Sequence, residues 1–248
     1  MGLQFYSRLP VAKDKHETPN LSNIAPALPF TSFVIGIIPA LILAIGVTIG
    51  LPPLFGASLA IAAWVLITGA MAEDAIADSS DGLFGGQTKE KRLEILKDPR
   101  HGTYGVSALV IYIALRVFAL AAIAAHSPLI AASVWIAATI LARSSALWLT
   151  IKLPPARSSG VSASVGQLKK SAFLVGMAFA ILISFVLSAP FVGLISFIAT
   201  IISIIIISFF WAKLCQQKVN GQTGDLIGGL QALLEVGILT IFLIGLNL

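Results

Sequence analysis

The feature that most constrains this chain is a succession of uninterrupted apolar runs, each about as long as a bilayer crossing. A hydrocarbon core of about 30 Å takes roughly 20 helical residues at about 1.5 Å rise each. Seven segments of the 248-residue sequence meet that length, approximately 29–50, 54–72, 104–125, 129–150, 171–189, 191–211 and 227–247. Hydrophobic residues make up 57% and charged residues 11%, against roughly 25% charged in a soluble domain. A water-soluble globule and a disordered chain are both excluded. The expected fold is all-α: a polytopic membrane bundle of about seven helices forming one transmembrane domain over 1–248. Residues 1–28 form a segment ahead of the first span, and 73–103 carry an acidic motif and an amphipathic loop. Cys215 is the single cysteine, so no intrachain disulfide forms, and no paired Cys/His spacing marks a zinc site.

Short connections at Leu51-Pro52-Pro53, His126-Ser127-Pro128 and Ala189-Pro190 predict three helical hairpins. The longer connections carry the charge. Of the 16 Lys and Arg residues, Arg8, Lys13 and Lys15 precede the first span, and Lys89, Lys91, Arg92, Lys97 and Arg100 lie in the first long loop. Lys152, Arg157, Lys169, Lys170, Lys213 and Lys218 occupy the other two, leaving Arg116 and Arg143 inside helices. The positive-inside rule then places the N-terminus and all long connections in the cytoplasm. The net charge of +5 belongs to a basic face near anionic lipid, and no nucleic-acid partner is expected. The first 28 residues contain Pro10, Pro19 and Pro26 and no apolar core long enough for a signal peptide.

The acidic residues are few enough to place individually. Asp74, Asp78 and Asp81 fall on a stripe roughly 60° wide at about 100° per residue, if the second span continues through them; Glu73 points elsewhere. Like charges at these spacings repel, and a hard divalent cation such as Mg²⁺, bound through carboxylates and substrate phosphates, offsets that. Metal-assisted chemistry on a phosphate or diphosphate is the expected function; a solvated helix end with capping acids is the structural alternative. Gly82 to Gly86 should end the helix and allow close backbone approach. Thr88 to Asp98 reads as a short amphipathic helix. In Asp98-Pro99-Arg100-His101-Gly102-Thr103-Tyr104-Gly105, Arg100 can clamp phosphate oxygens. In Gly221-Gln222-Thr223-Gly224-Asp225, Thr223 offers a hydroxyl, and Asp225 could ligate metal, accept a proton or cap the last helix. Glu235 lies inside that helix, where Arg116 and Arg143 are its available partners. The histidines, His16, His101 and His126, carry little information.

At these residues the chain resembles the cobalamin-5′-phosphate synthase family, the adenosylcobinamide-GDP ribazoletransferases. Phe5 to Val11 resembles the family's Phe-x-Thr-Arg-Leu-Pro-x, and Asp74 to Gly82 its Asp-Gly-x-Ala-Asp-x-x-Asp-Gly. Asp98 to Gly105 is similar to Asp-Ser-Arg-x-Gly-Thr-x-Gly, and Gly221 to Asp225 to Gly-Gln-Thr-Gly-Asp. The four motifs occur in order over nearly the whole chain. Ala72-Glu73-Asp74-Ala75 departs from the usual His-Leu-Asp-Gly, Pro99 replaces Ser, and Ala232 stands where a carboxylate is common.

The resemblance implies a Mg²⁺-dependent transfer at the cytoplasmic face of the inner membrane. α-Ribazole or its 5′-phosphate attacks adenosylcobinamide-GDP, and GMP leaves. Asp74 and Asp78 are then metal ligands, Asp81 a metal ligand or the base, Arg100 a phosphate clamp and Asp225 a second ligand or alternative base. Arg8, Gly82, Thr223 and Arg143 are the further candidate substrate-binding positions. The implied partners are these small molecules and the bilayer, with a homo-oligomer left open. Two other readings compete: a CDP-alcohol phosphotransferase, whose Asp-x2-Asp-Gly-x2-Ala-Arg opening is missing, and a proton-coupled carrier built on Arg116, Arg143 and Glu235.

Overall fold

The computed structural model describes residues 1–11, 20–157 and 168–246. Lys13, Lys15, His16 and Pro19 lie outside the described residues. The N-terminal segment holds a short helix, α1 (Gly2–Tyr6), and the next described helix is α2 (Leu21–Ile24), with a 3₁₀ turn at Ala25–Ala27 leading into α3 (Leu28–Thr48). Next come α4 (Pro53–Thr68), α5 (Met71–Gly85), α6 (Lys89–Ile95), α7 (Thr103–His126), α8 (Pro128–Ala146) and α9 (Trp148–Lys152). Two further helices follow among the described residues, α10 (Lys170–Val219) and α11 (Gly224–Gly245). Among the described residues, five helical stretches are long and apolar enough to cross a membrane, and a sixth arises if α4 and α5 count as one bent crossing. The protein is a multi-pass helical membrane protein.

Local sequence explains where these helices begin. Pro53 and Pro128 occupy first helical positions, where the missing N–H leaves no bond unmade. Ser127 caps α8 by accepting from the Ile130 N–H, and Thr88 caps α6 by accepting from the Lys91 N–H. The fifty-residue α10 doubles back on itself. Gly193 has φ 81° and ψ 158°, a conformation open to glycine and closed to most residues. Three positions after Pro190, it reverses the chain. Phe185 and Phe197 consequently meet edge to face at 5.2 Å, although twelve positions along one straight helix would separate them by about 18 Å. Farther down the two arms, Phe173 and Met177 line one cavity of about 290 Å³ with Ile204 and Ser208.

α8 is the central span, with 72% of its most apolar window buried, against 28% for α7. It packs on α3, α10 and α11, while α5 packs between α7 and α11. One expectation requires correction. The second span, expected over 54–72, ends at Thr68, and Gly69 and Ala70 both take left-handed conformations at φ 66° and 59°. The chain turns through 86° and restarts as α5. The acidic stripe therefore rides on a separate helix. Gly82 lies inside α5, which runs on to Gly85.

Candidate active site

α5 presents Asp74 and Asp78 toward the loop that precedes α7, and His101 from that loop completes a group of three. Their ligand atoms lie within 4.8 Å of one another, with His101 Nδ1 3.6 Å from Asp78 Oδ1. The sequence reading passed over His101 because it stands alone in the chain. Its loop carries the only cue, a polar segment bearing the family's Arg motif.

Asp81 belongs to the same helix but has another neighbour. Both of its oxygens accept backbone hydrogen bonds, Oδ2 from Gly102 N–H at 2.6 Å and Oδ1 from Gly105 N–H at 2.8 Å. It thus caps the start of α7 from outside that helix, satisfying donors that a helix N-terminus leaves open. The glycines follow from this approach. A side chain at Gly105 would run into the Asp81 carboxylate and the Ala77 carbonyl.

Arg100 is 87% exposed and forked onto Asp98, with Nε 2.9 Å from Oδ1 and Nη2 2.7 Å from Oδ2. These hydrogen bonds lower the Asp98 carboxyl to about 2.

A cavity of about 430 Å³ opens beside the acidic helix. Phe5 and Tyr6 of α1, Asp74 and Ala75 of α5, Arg143 of α8, and Thr223, Asp225 and Gln231 around and within α11 are among its lining residues. Three local features assemble it. Thr223 caps α11, accepting from the Leu226 N–H at 3.3 Å, and its hydroxyl donates to Asp225 Oδ2 at 3.3 Å. The N-cap is therefore Thr223, which leaves Asp225 in the first turn facing the cavity. An isolated bridge pairs the chain near Pro155 with Gln222, through Gln222 N–H to the Pro154 carbonyl and Ala156 N–H to the Gln222 carbonyl. This brings Arg157 to the rim. The amphipathic helix α6 is tied to the bundle: Arg157 Nη2 donates to the Leu93 carbonyl at 2.7 Å and Arg92 Nη1 to the Lys218 carbonyl at 3.3 Å. Leu96, just beyond α6, packs into the cavity wall against Gly82. Gly82 thus serves close packing by Leu96. Arg8 lies outside the cavity, its N–H donating to the Ile67 carbonyl at 2.7 Å and its side chain packing over Gly69.

Behind the cavity sits a buried ionic network. Arg116 Nη1 donates to Glu73 Oε1 at 2.9 Å, and Arg116 Nε to Glu235 Oε1 at 3.0 Å. Tyr112 Oη and Trp135 Nε1 also donate to Glu235. Glu73, turned away from the aspartate stripe, thereby gains a partner that the sequence did not reveal. Arg143, the other expected partner of Glu235, makes no ion pair among the described residues. The carrier reading loses Arg116 and Glu235 to this mutual pairing.

Divalent-cation binding can be tested on the donor set. Two carboxylates from one helix face, converging beside a largely apolar cavity, fit a hard cation that takes its other ligands from water and phosphate. The His101 imidazole suits softer metals better.

The cobalamin-5-phosphate synthase family model matches residues 1–243. The chain is 39% identical over 241 residues to an adenosylcobinamide-GDP ribazoletransferase of Rhizobium johnstonii, covering 96% of this chain and 93% of the relative. A protein of the same description from Azorhizobium caulinodans is 39% identical over 242 residues, with 96% and 92% covered. Another, from Xanthobacter autotrophicus, is 38% identical over 250 residues, with 98% and 93% covered. No solved structure matches. With residues from three of its four motifs lining one cavity and a family match spanning almost its full length, the chain belongs to the cobalamin-5-phosphate synthase family.

Proposed function

We propose that this protein is the membrane transferase that joins α-ribazole, or its 5′-phosphate, to adenosylcobinamide-GDP with release of GMP. The observation that carries the reading is the convergence of Asp74, Asp78 and His101 beside a 430 Å³ cavity that Asp74 itself lines together with Asp225 and two arginines, in a chain of this family. A ribazole hydroxyl attacks the phosphorus on the cobinamide side of the diphosphate. The new P–O bond forms as the P–O bond to GMP breaks, and the hydroxyl proton passes to a carboxylate.

Asp225 is the carboxylate best placed to take that proton. It faces the cavity, and Thr223 orients it, whereas both oxygens of Asp81 are engaged by backbone N–H groups. Asp74 and Asp78 would hold Mg²⁺, which when bound supplies neutralisation of charge on the diphosphate. Arg100, now forked onto Asp98, would clamp a phosphate from the loop that carries His101. The apolar lining from Leu21, Met71, Leu96 and Ile227 limits water around the reacting phosphorus.

The topology belongs to the same reading. Counting the two arms of α10 separately and α4 with α5 as one crossing gives seven crossings. The basic connections then face the cytoplasm, the active face is cytoplasmic, and the membrane is the inner membrane. Homo-oligomers remain compatible with this arrangement.

The test is GMP release together with corrinoid product mass. Purified protein in detergent is supplied with adenosylcobinamide-GDP, α-ribazole and Mg²⁺, beside a metal-free control. Metal-dependent product is expected. Absence of product from folded, lipid-supplemented protein would remove the reading.

A further inference from the structure

Two arginines lie in the membrane-embedded body of this protein, and their surroundings differ. An ionised side chain buried away from water costs several kcal/mol unless paired. Arg116 meets that cost with carboxylates on two sides, Glu73 and Glu235. Arg143 is 3% exposed and, among the described residues, has no carboxylate within ion-pair distance. Its guanidinium lies between two rings, 5.0 Å from the centre of Tyr6 and 5.3 Å from that of Trp64. Such stacking satisfies the faces of the cation and does nothing for the N–H groups at its edge. Nε and Nη1 of Arg143 are both buried without a hydrogen-bond partner, an arrangement native proteins seldom leave in place without a ligand.

Position decides what those donors are for. Arg116 Nη2 is also unpartnered, but Arg116 is not among the residues lining the cavity. Arg143 is, together with Asp74, Asp225 and the rim residue Arg157. Arg157 gives Nη2 to the Leu93 carbonyl and has one unpartnered donor, Nε, where Arg143 has two and no hydrogen bond to hold it elsewhere. The cavity therefore has carboxylates on the α5 and α11 walls and, on the α8 wall, a guanidinium with free edge donors.

We infer that Arg143 is the anion anchor of this cavity, binding a phosphate of a diphosphate-bearing substrate. The inference deepens the proposed function and rests on it only for the identity of the substrate that carries the diphosphate. Tyr6 is a positioning residue in this arrangement. It holds the guanidinium plane from one side, and α1 is itself fastened by the Arg8 N–H to the Ile67 carbonyl. The N-terminal segment thereby contributes to anion binding without touching the ligand through a charged group.

The probe is inorganic diphosphate, with equilibrium binding measured on the purified full-length protein in detergent, with and without Mg²⁺. The parent protein is expected to bind it. Arg143→Gln should weaken binding by about tenfold or more in both conditions, since charge-assisted hydrogen bonds are lost. Arg143→Lys keeps the charge and loses the planar fork, and should weaken binding by about threefold or more. Asp78→Asn should reduce only the Mg²⁺-dependent part. Tyr6→Leu should lower affinity, with restoration in Tyr6→Phe, which keeps the ring.

Failure of the parent to bind diphosphate overturns the proposal. So does affinity within twofold of the parent in both Arg143 variants. If Arg143→Gln does not yield a monodisperse protein, Arg143→Lys decides alone by the same criterion. Binding needs no turnover, so the two ideas fail separately. Arg143-dependent diphosphate binding in a protein that releases no GMP keeps the anchor and sinks the transferase reading; GMP release with binding indifferent to Arg143 does the reverse.

Discussion

The carboxylate of Asp81 accepts the backbone N–H of Gly105 at 2.8 Å, across the gap between α5 and α7. With the Gly102 N–H on its other oxygen, it fixes the loop carrying Arg100 and His101 against the acidic helix. Asp81→Asn should destabilise the protein by about 1–3 kcal/mol and cut turnover. Gly105→Ala leaves the carboxylate chemically intact but forces it away, so it should lose turnover alongside Asp81→Asn. Thermal midpoints and GMP release measured on both variants check this. Normal turnover in Gly105→Ala beside a dead Asp81→Asn would assign chemistry, and not clamping, to Asp81.

Asp78 stands between Asp74 and His101, so its replacement should act on metal dependence. Asp78→Asn is expected to lower turnover by about 100-fold or more with the melting temperature close to that of the parent. Chelation of the parent should reproduce the loss, and Mg²⁺ should reverse it. Turnover within a few-fold of the parent across a Mg²⁺ titration would remove Asp78 from the site.

Arg100 and Asp98 make a different prediction because they are exposed. Hydrogen bonds from Arg100 hold the Asp98 carboxyl at about 2, below its ordinary 3.8. A carboxyl lowered on folding favours the folded loop above its ordinary value, and the contribution disappears as pH falls through about 2. Between pH 5 and 9 the fork is fully ionised, so the pH profile of turnover should keep its shape in Asp98→Asn. Arg100→Gln should raise KM for adenosylcobinamide-GDP by about tenfold, whereas Asp98→Asn should not. Equal KM effects in the two variants would mean that the fork itself is the working unit.

The buried network should govern stability. Glu235→Ala leaves Arg116 with Glu73 alone and strands the Tyr112 and Trp135 donors, and should cost about 3–5 kcal/mol. Arg116→Met should cost a similar amount, and the double variant less than their sum. Denaturation midpoints in one detergent measure all three. Additive losses would show that the residues are not coupled.

Much of this molecule is legible in its sequence because a bilayer imposes one length on every crossing. The apolar runs match most helix ends to within a few residues, the run 191–211 ending eight short of Val219, and Pro53 and Pro128 mark helix starts by their own chemistry, whereas α11 is capped by Thr223 and not by Asp225. The break at Gly69-Ala70 was not legible. Nothing before Met71 is polar enough to signal it, and a stripe calculation assumes a helix that continues. The site was legible as a set of motifs and not as a geometry. Asp74, Asp78 and Asp81 share a stripe on paper, yet Asp81 turns to α7 because two glycine N–H groups 21 and 24 residues later come to meet it. His101 and Glu73 escaped for the same reason: their partners lie on other elements, 23 and 43 residues away in the chain.

The network around Arg116 also sets an order on how the protein is made. Glu73 and Arg116 enter the membrane on α5 and α7, but Glu235 arrives on α11, after the α10 hairpin is in place. Until then Arg116 has one carboxylate, and the α11 wall of the cavity does not exist. α11 therefore acts as a keystone, completing charge balance and binding site in a single insertion. A chain stopped at Val219 would carry every motif but the last and still be an unfinished, charge-strained intermediate, open to membrane quality control.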